Sequence, residues 1–203
     1  MMVIGITGPT GSGKTTALRV IREMGGYVLD LDAVYHELLK TNQNLLAELN
    51  ERFSGVIQNG ELDRKALGSI VFADKKALSD LNAITGKYIM SETDRQLDLA
   101  RQQGFPVAII DAINLLEGDL PEHCDITVAV TAPVETRVKR LMARDQISEE
   151  YARLRISAQQ PNAYFEERCD YTLRNSGKSK EIFAQECRDL FTRLLEQQKG
   201  RSI

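Results

Sequence analysis

The fold is decided by one stretch near the amino terminus, Gly8-Pro9-Thr10-Gly11-Ser12-Gly13-Lys14-Thr15, which matches the spacing Gly-x-x-x-x-Gly-Lys-Ser/Thr. The apolar run Met2–Thr7 precedes this stretch and predicts a buried strand, and the helical spacing of Lys14–Met24 follows it. Glycines at these positions let the backbone wrap around a phosphate group and direct several N–H groups toward it. The stretch therefore predicts a loop that binds the phosphates of a nucleoside triphosphate.

The side chains of this loop also suit phosphate chemistry. Lys14 can bridge the β- and γ-phosphates of a bound nucleotide, and the Thr15 hydroxyl can ligate Mg²⁺. The amino terminus of the following helix adds a favourable partial charge. We therefore expect ATP and Mg²⁺ to be bound here, with the nucleotide contacting Gly11, Ser12, Gly13, Lys14, Thr15 and Thr16.

Short apolar runs alternate with longer helical patterns along the rest of the chain. Further strands are predicted at Tyr27–Asp30, Pro106–Asp111, Asp125–Thr131 and Tyr171–Leu173. Buried strands that alternate with helices indicate a parallel sheet that is covered on both faces. We therefore expect an α/β fold of three layers, α/β/α, around a parallel sheet of about five strands.

The stretch between the second and third predicted strands is mostly helical and too long for a simple crossover. At about residues 33–103 we expect it to form an inserted helical subdomain over the substrate, within a single domain spanning 1–203. The core of that domain then comprises about 1–32, 104–136 and 168–203. The segment 137–167, which is rich in arginine, is expected to form a lid.

Composition narrows the class of protein further. The 203 residues are 42% hydrophobic and 27% charged, with a net charge of −3, which is typical of a globular protein and weighs against a general nucleic-acid binder. No apolar run approaches the roughly 18 residues that cross a bilayer, and Met1–Thr7 lacks the basic region of a signal peptide. The three cysteines have no paired spacing, as is usual in a reducing compartment. We expect a cytoplasmic protein that binds small molecules, without nucleic-acid or membrane partners, as a monomer or small homo-oligomer.

Acidic residues follow two of the predicted strands. Asp30 and Asp32 lie at the end of the second strand, where residues two apart on an extended chain point the same way. Ligands of open α/β sheets bind beyond the carboxyl ends of the strands, so one carboxylate is expected to accept a hydroxyl proton and the other to hold a metal-bound water. The alternative is that Asp32 only caps a helix beginning at Ala33. Asp111, after the third strand, is a further candidate to help hold Mg²⁺, or simply ends that strand.

Three arginines, Arg137, Arg140 and Arg144, recur at i, i+3 and i+7 on the helix after Pro133, on a face apart from its apolar residues. Arginine clusters bind phosphates bidentately and offset the charge that develops during phosphoryl transfer. The alternative is an ordinary solvated helix face. Beside a phosphate-binding loop, the pattern favours a lid that closes over ATP.

Taken in chain order, these motifs resemble those of the dephospho-coenzyme A kinase family. They are Thr7–Lys14, Asp30-Leu31-Asp32, Gly60-Glu61-Leu62-Asp63-Arg64, Leu81-Asn82-Ala83-Ile84, Asp111–Glu117, Arg140–Asp145, Arg155–Gln159 and Asn175-Ser176-Gly177. The resemblance covers nearly the whole chain, from about residue 3 to residue 177. It implies a P-loop kinase that transfers the γ-phosphoryl group of ATP to the ribose 3′-hydroxyl of dephospho-CoA, the last step of coenzyme A biosynthesis.

The resemblance also implies roles for individual residues. Asp32 takes the place of the family's catalytic base, and the other catalytic residues it implies are Lys14 and Arg140. Nucleotide contacts are implied for Arg140 and Arg144 in the lid, and for Asn175 near the base. Acceptor contacts are implied for Asp32, Arg64 and Asn82.

The chain departs from the family pattern at three places. Pro9 stands at the second loop glycine, Gly86-Lys87 replaces His-Pro, and Ile113-Asn114 replaces Pro-Leu. The last two fall on the acceptor side, so a kinase for another nucleoside-like or small-molecule hydroxyl remains an alternative, as does a non-catalytic nucleotide-binding regulatory module. The loop is also similar to that of tRNA prenyltransferases, but the chain is short for that family and its other motifs do not follow it. No Asn/Thr-Lys-x-Asp motif for guanine is present, which disfavours a GTPase.

Overall fold

The computed structural model describes residues 1–58, 60–177 and 179–201. The chain forms two compact units. One consists of Met1–Leu29 together with the chain from Ala100 onward, and the other is Asp30–Leu99. In the described ranges, no helix is both long enough and apolar enough to pass through a membrane.

The helices and strands alternate along the chain. Among the described residues, the strands are β1 Met2–Thr7, β2 Tyr27–Asp30, β3 Ile57–Gln58, β4 Glu61–Leu62, β5 Val107–Asp111, β6 Ile126–Thr131 and β7 Tyr171–Arg174. The α-helices there are α1 Lys14–Glu23, α2 Leu31–Thr41, α3 Gln43–Arg52, α4 Arg64–Ala73, α5 Lys75–Gln102, α6 Val134–Asp145, α7 Glu149–Ser157, α8 Asn162–Arg168 and α9 Lys180–Arg201. A short 3-10 helix covers Leu120–His123.

A parallel five-stranded sheet organises the first unit, in the order β2-β5-β1-β6-β7. The central strand β1 pairs with β5, starting from Met2 opposite Val107, and with β6, starting from Ile4 opposite Ile126. Every residue of β1 is buried, because both of its edges and both of its faces are covered. The predicted α/β fold with about five parallel strands, flanked by helices, is confirmed.

The main hydrophobic core of this unit joins α1, the sheet and α9. Its fully buried members include Ile4, Ile6, Ala17, Ile21, Ile109, Val128, Val130, Cys187 and Phe191. A second cluster holds α6 against α7 and consists of Val138, Leu141, Ala152 and Ile156. The glycine-rich loop lies between β1 and α1, so both of its ends are held by elements that belong to the main core.

The second unit is mostly helical, and three of its helices begin at a capping side chain. Asp30 accepts a hydrogen bond from the Ala33 N–H at 3.0 Å, and Asn42 accepts one from Leu45 at 2.9 Å. Asp63 accepts two, from the N–H groups of the second and third residues of α4, both at 3.0 Å. Such caps satisfy backbone donors that have no partner within the helix. The small antiparallel hairpin β3–β4, which the sequence did not predict, connects α3 and α4.

The observed start of α2 corrects the predicted geometry of the two aspartates. The helix begins at Leu31 instead of Ala33, because Asp30 itself supplies the cap at the end of β2. Asp32 therefore lies in the first helical turn, so Asp30 and Asp32 do not point the same way from one extended strand. The alternative that Asp32 is the helix cap is also wrong, and both side chains are exposed.

The three cysteines are thiols, and Cys187 is fully buried. Burial raises the pKa of Cys124 and of Cys187 to about 12, and that of Cys169 to about 11. Thiols with such pKa values stay protonated at neutral pH and are poor nucleophiles. Cys187 in turn contributes to the main hydrophobic core.

The cap at Asp30 gives a testable expectation for stability. Asp30→Ala removes the acceptor for the Ala33 N–H and should lower the free energy of unfolding by about 1 kcal/mol. Asp30→Asn keeps an oxygen acceptor and should stay within a few tenths of a kcal/mol of the parent protein. Urea denaturation followed by circular dichroism measures both variants, and an equal loss in the two would contradict the capping role.

Candidate active site

The loop between β1 and α1 has a backbone that requires glycine at particular positions. Gly8 and Gly13 have φ angles of 140° and 110°, which L side chains rarely adopt. A Cβ atom on Gly8 would overlap the Val130 carbonyl oxygen, and one on Gly13 would overlap the side-chain amide of Asn175. The glycines thus allow the loop to lie directly against β6 and the end of β7.

Polar groups inside the loop support the predicted phosphate site. The Lys14 Nζ donates a hydrogen bond to the Gly8 carbonyl oxygen at 2.7 Å, so the lysine spans the loop. Ser12 is 1% exposed, and its Oγ atom has no hydrogen-bond partner among the described residues. A buried hydroxyl normally has a partner, so this atom is suited to donate to a bound phosphate. Thr15 is exposed in the first turn of α1, where its hydroxyl is accessible.

Arg140 and Asn175 hold the outer side of the loop. Asn175 is 4% exposed, accepts from Arg140 Nη2 at 3.1 Å, and donates from its Nδ2 to the Ser12 carbonyl oxygen at 3.0 Å. The other terminal nitrogen of Arg140 donates to the carbonyl oxygens of Gly11 and Ser12, at 3.0 and 3.1 Å. The backbone N–H of Asn175 in turn donates to the Thr131 oxygen at 2.8 Å. The structure therefore brings together residues that the sequence predicted from two distant motifs.

Arg137 also contacts the loop, although its spacing in the sequence predicted a position on the arginine face of α6, apart from the apolar residues. It is 2% exposed and not on a solvent face with Arg140 and Arg144, because its side chain turns inward to the loop. Its Nε donates to the Thr10 carbonyl oxygen at 2.9 Å, and its Nη2 donates to Gln159 Oε1 at 2.8 Å. Position 137 lies four residues before the buried Leu141, and this helical spacing was a signal in the sequence that it belongs to the packed face.

Arg144 makes different contacts from those of Arg140. It forms a two-pronged pair with Asp145, at 2.6 and 3.0 Å, and Asp145 also accepts from Arg155 at 2.6 Å. These arginines, Arg144 first, lower the pKa of Asp145 to about 2. The exposed Arg144 guanidinium is therefore held within the α6–α7 segment and makes no hydrogen bond to the loop in the described part of the chain.

The predicted acceptor residues all lie in the second unit. Asp32 is in the first turn of α2, Arg64 is the first residue of α4, and Asn82 lies on α5, all three exposed. The positive charge of Arg64 lowers the pKa of Tyr35, whereas burial, the larger effect, raises it. Arg64 thus acts electrostatically on Tyr35, a residue of the helix that carries Asp32.

The departures from the family pattern have visible structural partners. Lys87 pairs with Glu48 at 2.5 Å, and the Tyr88 hydroxyl donates to the same carboxylate at 2.9 Å, so α5 is tied to α3. Ile113 and Asn114 line a cavity of about 200 Å³ beside the start of the loop at Gly8 and Pro9. Ile113 is 57% exposed, and its carbonyl oxygen accepts from the Thr7 hydroxyl at 3.1 Å.

Comparison with known proteins agrees with this geometry. The dephospho-CoA kinase family model matches residues 2–181. A dephospho-CoA kinase of Latilactobacillus sakei is 35% identical over 183 residues, which cover 90% of this chain and 91% of that protein.

Two solved structures share the fold. A protein from Thermus thermophilus superposes with a TM-score of 0.77 at 33% identity, covering 96% of this chain and 97% of its own. A dephospho-CoA kinase from Campylobacter jejuni superposes with a TM-score of 0.71 at 24% identity, covering 97% and 98%, and at that identity the likeness is one of fold. The family model matches nearly the whole chain, including the glycine loop that Arg140 and Asn175 contact. This chain therefore belongs to the dephospho-CoA kinase family of transferases, which phosphorylate dephospho-CoA with ATP in coenzyme A biosynthesis.

Proposed function

We propose that this chain transfers the γ-phosphoryl group of ATP to the ribose 3′-hydroxyl of dephospho-CoA, with Asp32 as the general base. The observation that carries the proposal is the loop at 8–15, whose carbonyl oxygens are bound by Arg140 and Asn175. Family membership supplies the reaction class and the acceptor. The substrates are small soluble metabolites, so we infer that the reaction takes place in the cytoplasm without a nucleic-acid or membrane partner.

The loop is proposed to bind the polyphosphate of ATP. Helix α1 begins at Lys14 and has no acidic residue in its first turn, so the partial positive charge at its amino terminus is not offset locally. The buried Ser12 hydroxyl and the Lys14 ammonium add donors to this site. Together these groups stabilise negative charge on the phosphates, which increases on the leaving ADP as the reaction proceeds.

Three oxygen-bearing side chains are the proposed ligands of Mg²⁺. Thr15 presents a hydroxyl and Asp111 a carboxylate at the carboxyl end of β5, and Asp30 ends β2. These are hard oxygen donors, and Mg²⁺ is commonly held by one or two protein oxygens together with substrate phosphates and waters. The described residues contain no group of three or more acidic, His or Cys side chains that could hold a metal ion. A magnesium ion that is held mainly by phosphates and waters does not need such a group. When bound, the ion would neutralise charge on the β- and γ-phosphates.

Asp32 is the proposed proton acceptor. A ribose hydroxyl is a weak nucleophile, and its proton must leave as the oxygen bonds to the γ-phosphorus and the bond from phosphorus to ADP breaks. The Asp32 carboxylate is exposed and makes no helix cap, since Asp30 fills that place. It is thus available to receive the proton, and Arg64 and Asn82 are the proposed contacts to the acceptor.

Arg140 and Arg144 are proposed to act on the nucleotide in different ways. Arg140 already contacts the loop, which supports a role in stabilising the charge of the transferring group. Arg144 would have to exchange its bond to Asp145 for a phosphate when the proposed lid, residues 137–167, closes. Asn175, which is anchored between the loop and β6, is the proposed neighbour of the nucleotide base.

Release of ADP in the presence of a panel of acceptors tests this function. We expect dephospho-CoA to stimulate ADP release, with mass spectrometry showing one added phosphoryl group at the 3′ position of the product. Ile113 and Asn114, which lie beside the loop, replace the family's Pro-Leu on the acceptor side. Phosphorylation of a different acceptor is therefore the competing outcome. Stimulation by another nucleoside or small alcohol, but not by dephospho-CoA, would overturn the proposed acceptor, and no stimulation at all would indicate a regulatory module.

Lys14→Ala should nearly abolish phosphoryl transfer. Loss of one preorganised charged donor to the transferring group typically costs 10²–10³-fold in kcat. The melting temperature should change little, because a half-exposed loop lysine adds little to the core. Lys76→Ala, an exposed lysine on α5, is the matched control, and wild-type turnover by folded Lys14→Ala would contradict the role of the loop.

Asp32→Asn keeps the shape of the side chain but cannot accept a proton. We expect kcat to fall by roughly 10²-fold or more, with the Kd for ATP nearly unchanged. Glu37→Gln, an exposed carboxylate on the same helix, is the control for loss of charge and should remain active. Single-turnover rates and melting temperatures measured on the same samples decide the point, and near-normal turnover by Asp32→Asn would remove this residue from the chemistry.

A further inference from the structure

The buried Arg137 and the half-buried Gln159 hold both backbone polar groups of one loop residue, Thr10. Arg137 Nε donates to the Thr10 carbonyl oxygen at 2.9 Å, and the Thr10 N–H donates to Gln159 Oε1 at 3.0 Å. Arg137 Nη2 donates to the same Gln159 oxygen at 2.8 Å. Three hydrogen bonds therefore close a ring through Thr10, Arg137 and Gln159, which links the loop to α6 and to the segment after α7.

This ring determines where the loop directs its next N–H group. A trans peptide is planar, so its C=O and N–H point in opposite directions. The described residues contain no cis peptide, and Arg137 fixes the Thr10 carbonyl, so the Gly11 N–H must point to the other side of the loop. The Thr10 N–H, by contrast, is used by Gln159 and is not available to a ligand.

The charge of Arg137 has no balancing carboxylate. It is 2% exposed, and its partners are a backbone carbonyl and a neutral amide. No carboxylate in the described part of the chain lies within ion-pair distance of it, whereas the neighbouring Arg144, Arg153 and Arg155 all pair with acidic side chains. Burying an unpaired charge is costly, and burial accordingly lowers the pKa of this guanidinium. A bound anion would offset that cost.

We propose that Arg137 is a positioning residue for nucleotide binding: with Gln159 it orients the Thr10–Gly11 peptide, and its buried positive charge is balanced by the phosphates of the bound nucleotide instead of by a protein carboxylate. The inference rests on the proposed use of the loop for ATP and is independent of which acceptor is phosphorylated. The proposal also explains why a neutral side chain at position 159 matters, because a carboxylate there would compete with the bound phosphates for the positive charge of Arg137.

Gln159→Glu tests the charge without removing a hydrogen bond. The glutamate keeps an oxygen acceptor for both Thr10 and Arg137, so the melting temperature should not fall. We expect the Kd for ATP, and for inorganic tripolyphosphate as a probe without base or sugar, to rise by about tenfold or more, because the added negative charge repels the phosphates at an effective dielectric constant of about 20. Gln103→Glu, an exposed residue before β5, adds the same charge elsewhere and should leave both Kd values unchanged. ATP affinity within twofold of wild type in Gln159→Glu would overturn the proposal.

Arg137→Met tests the positioning part. It removes the donors and the charge while keeping an unbranched chain in the buried site, and Arg193→Met, an exposed residue of α9, is its control. We expect the Kd for ATP and for tripolyphosphate to rise by tenfold or more, with the KM for the acceptor within twofold of wild type. A folded Arg137→Met that binds ATP normally would also overturn the proposal. Because both binding measurements need no acceptor, failure of the acceptor assay would not be mistaken for failure of this inference.

Discussion

The structure depends on how the carbonyl oxygens of the glycine loop are satisfied. Arg137 binds the oxygen of Thr10, Arg140 binds those of Gly11 and Ser12, and Asn175 shares that of Ser12. The Thr10 and Ser12 peptides, held by their oxygens, direct the N–H groups of Gly11 and Gly13 away from these side chains. The Ser12 N–H instead donates to the Pro9 carbonyl oxygen at 3.3 Å. The loop that we propose to bind phosphate is therefore held in shape by side chains that come from the opposite half of the chain.

This arrangement explains why the sequence predicted some parts of the site well and others poorly. The strand β1, the loop and the start of α1 follow from local rules, because apolar runs, glycines and helix signals act within a few residues. The burial of Arg137 depends on contacts to Thr10 across 127 positions of sequence, which no local pattern contains. Helical spacing alone groups Arg137 with Arg140 and Arg144, although these three side chains have different partners in the structure.

The start of α2 is a second place where the local sequence pattern does not determine the structure. Asp30 and Asp32 are both good helix-start residues, and their spacing in the sequence does not say which one caps the helix. The structure selects Asp30, because β2 ends there and its carboxylate reaches the Ala33 N–H. Asp32 is therefore in the first turn of the helix, and its proposed role as a base rests on its exposed carboxylate and on the family motif. The acceptor contacts of Arg64 and Asn82 also stay predictions from the motifs.

The strand order has a consequence for the synthesis of the protein. β1 is made before the other strands of its sheet, but its two neighbours there are β5 and β6, whose first paired residues, Val107 and Ile126, lie more than a hundred positions later. The carbonyl oxygen of Ser12 meets its Asn175 partner only across 163 positions. A nascent chain on the ribosome therefore lacks part of the proposed nucleotide site until most of these residues have emerged, and the apolar strand β1 is without its native partners during that interval. The contacts that hold the loop can thus form only after Arg137, Arg140 and Asn175 have been translated, long after the loop itself.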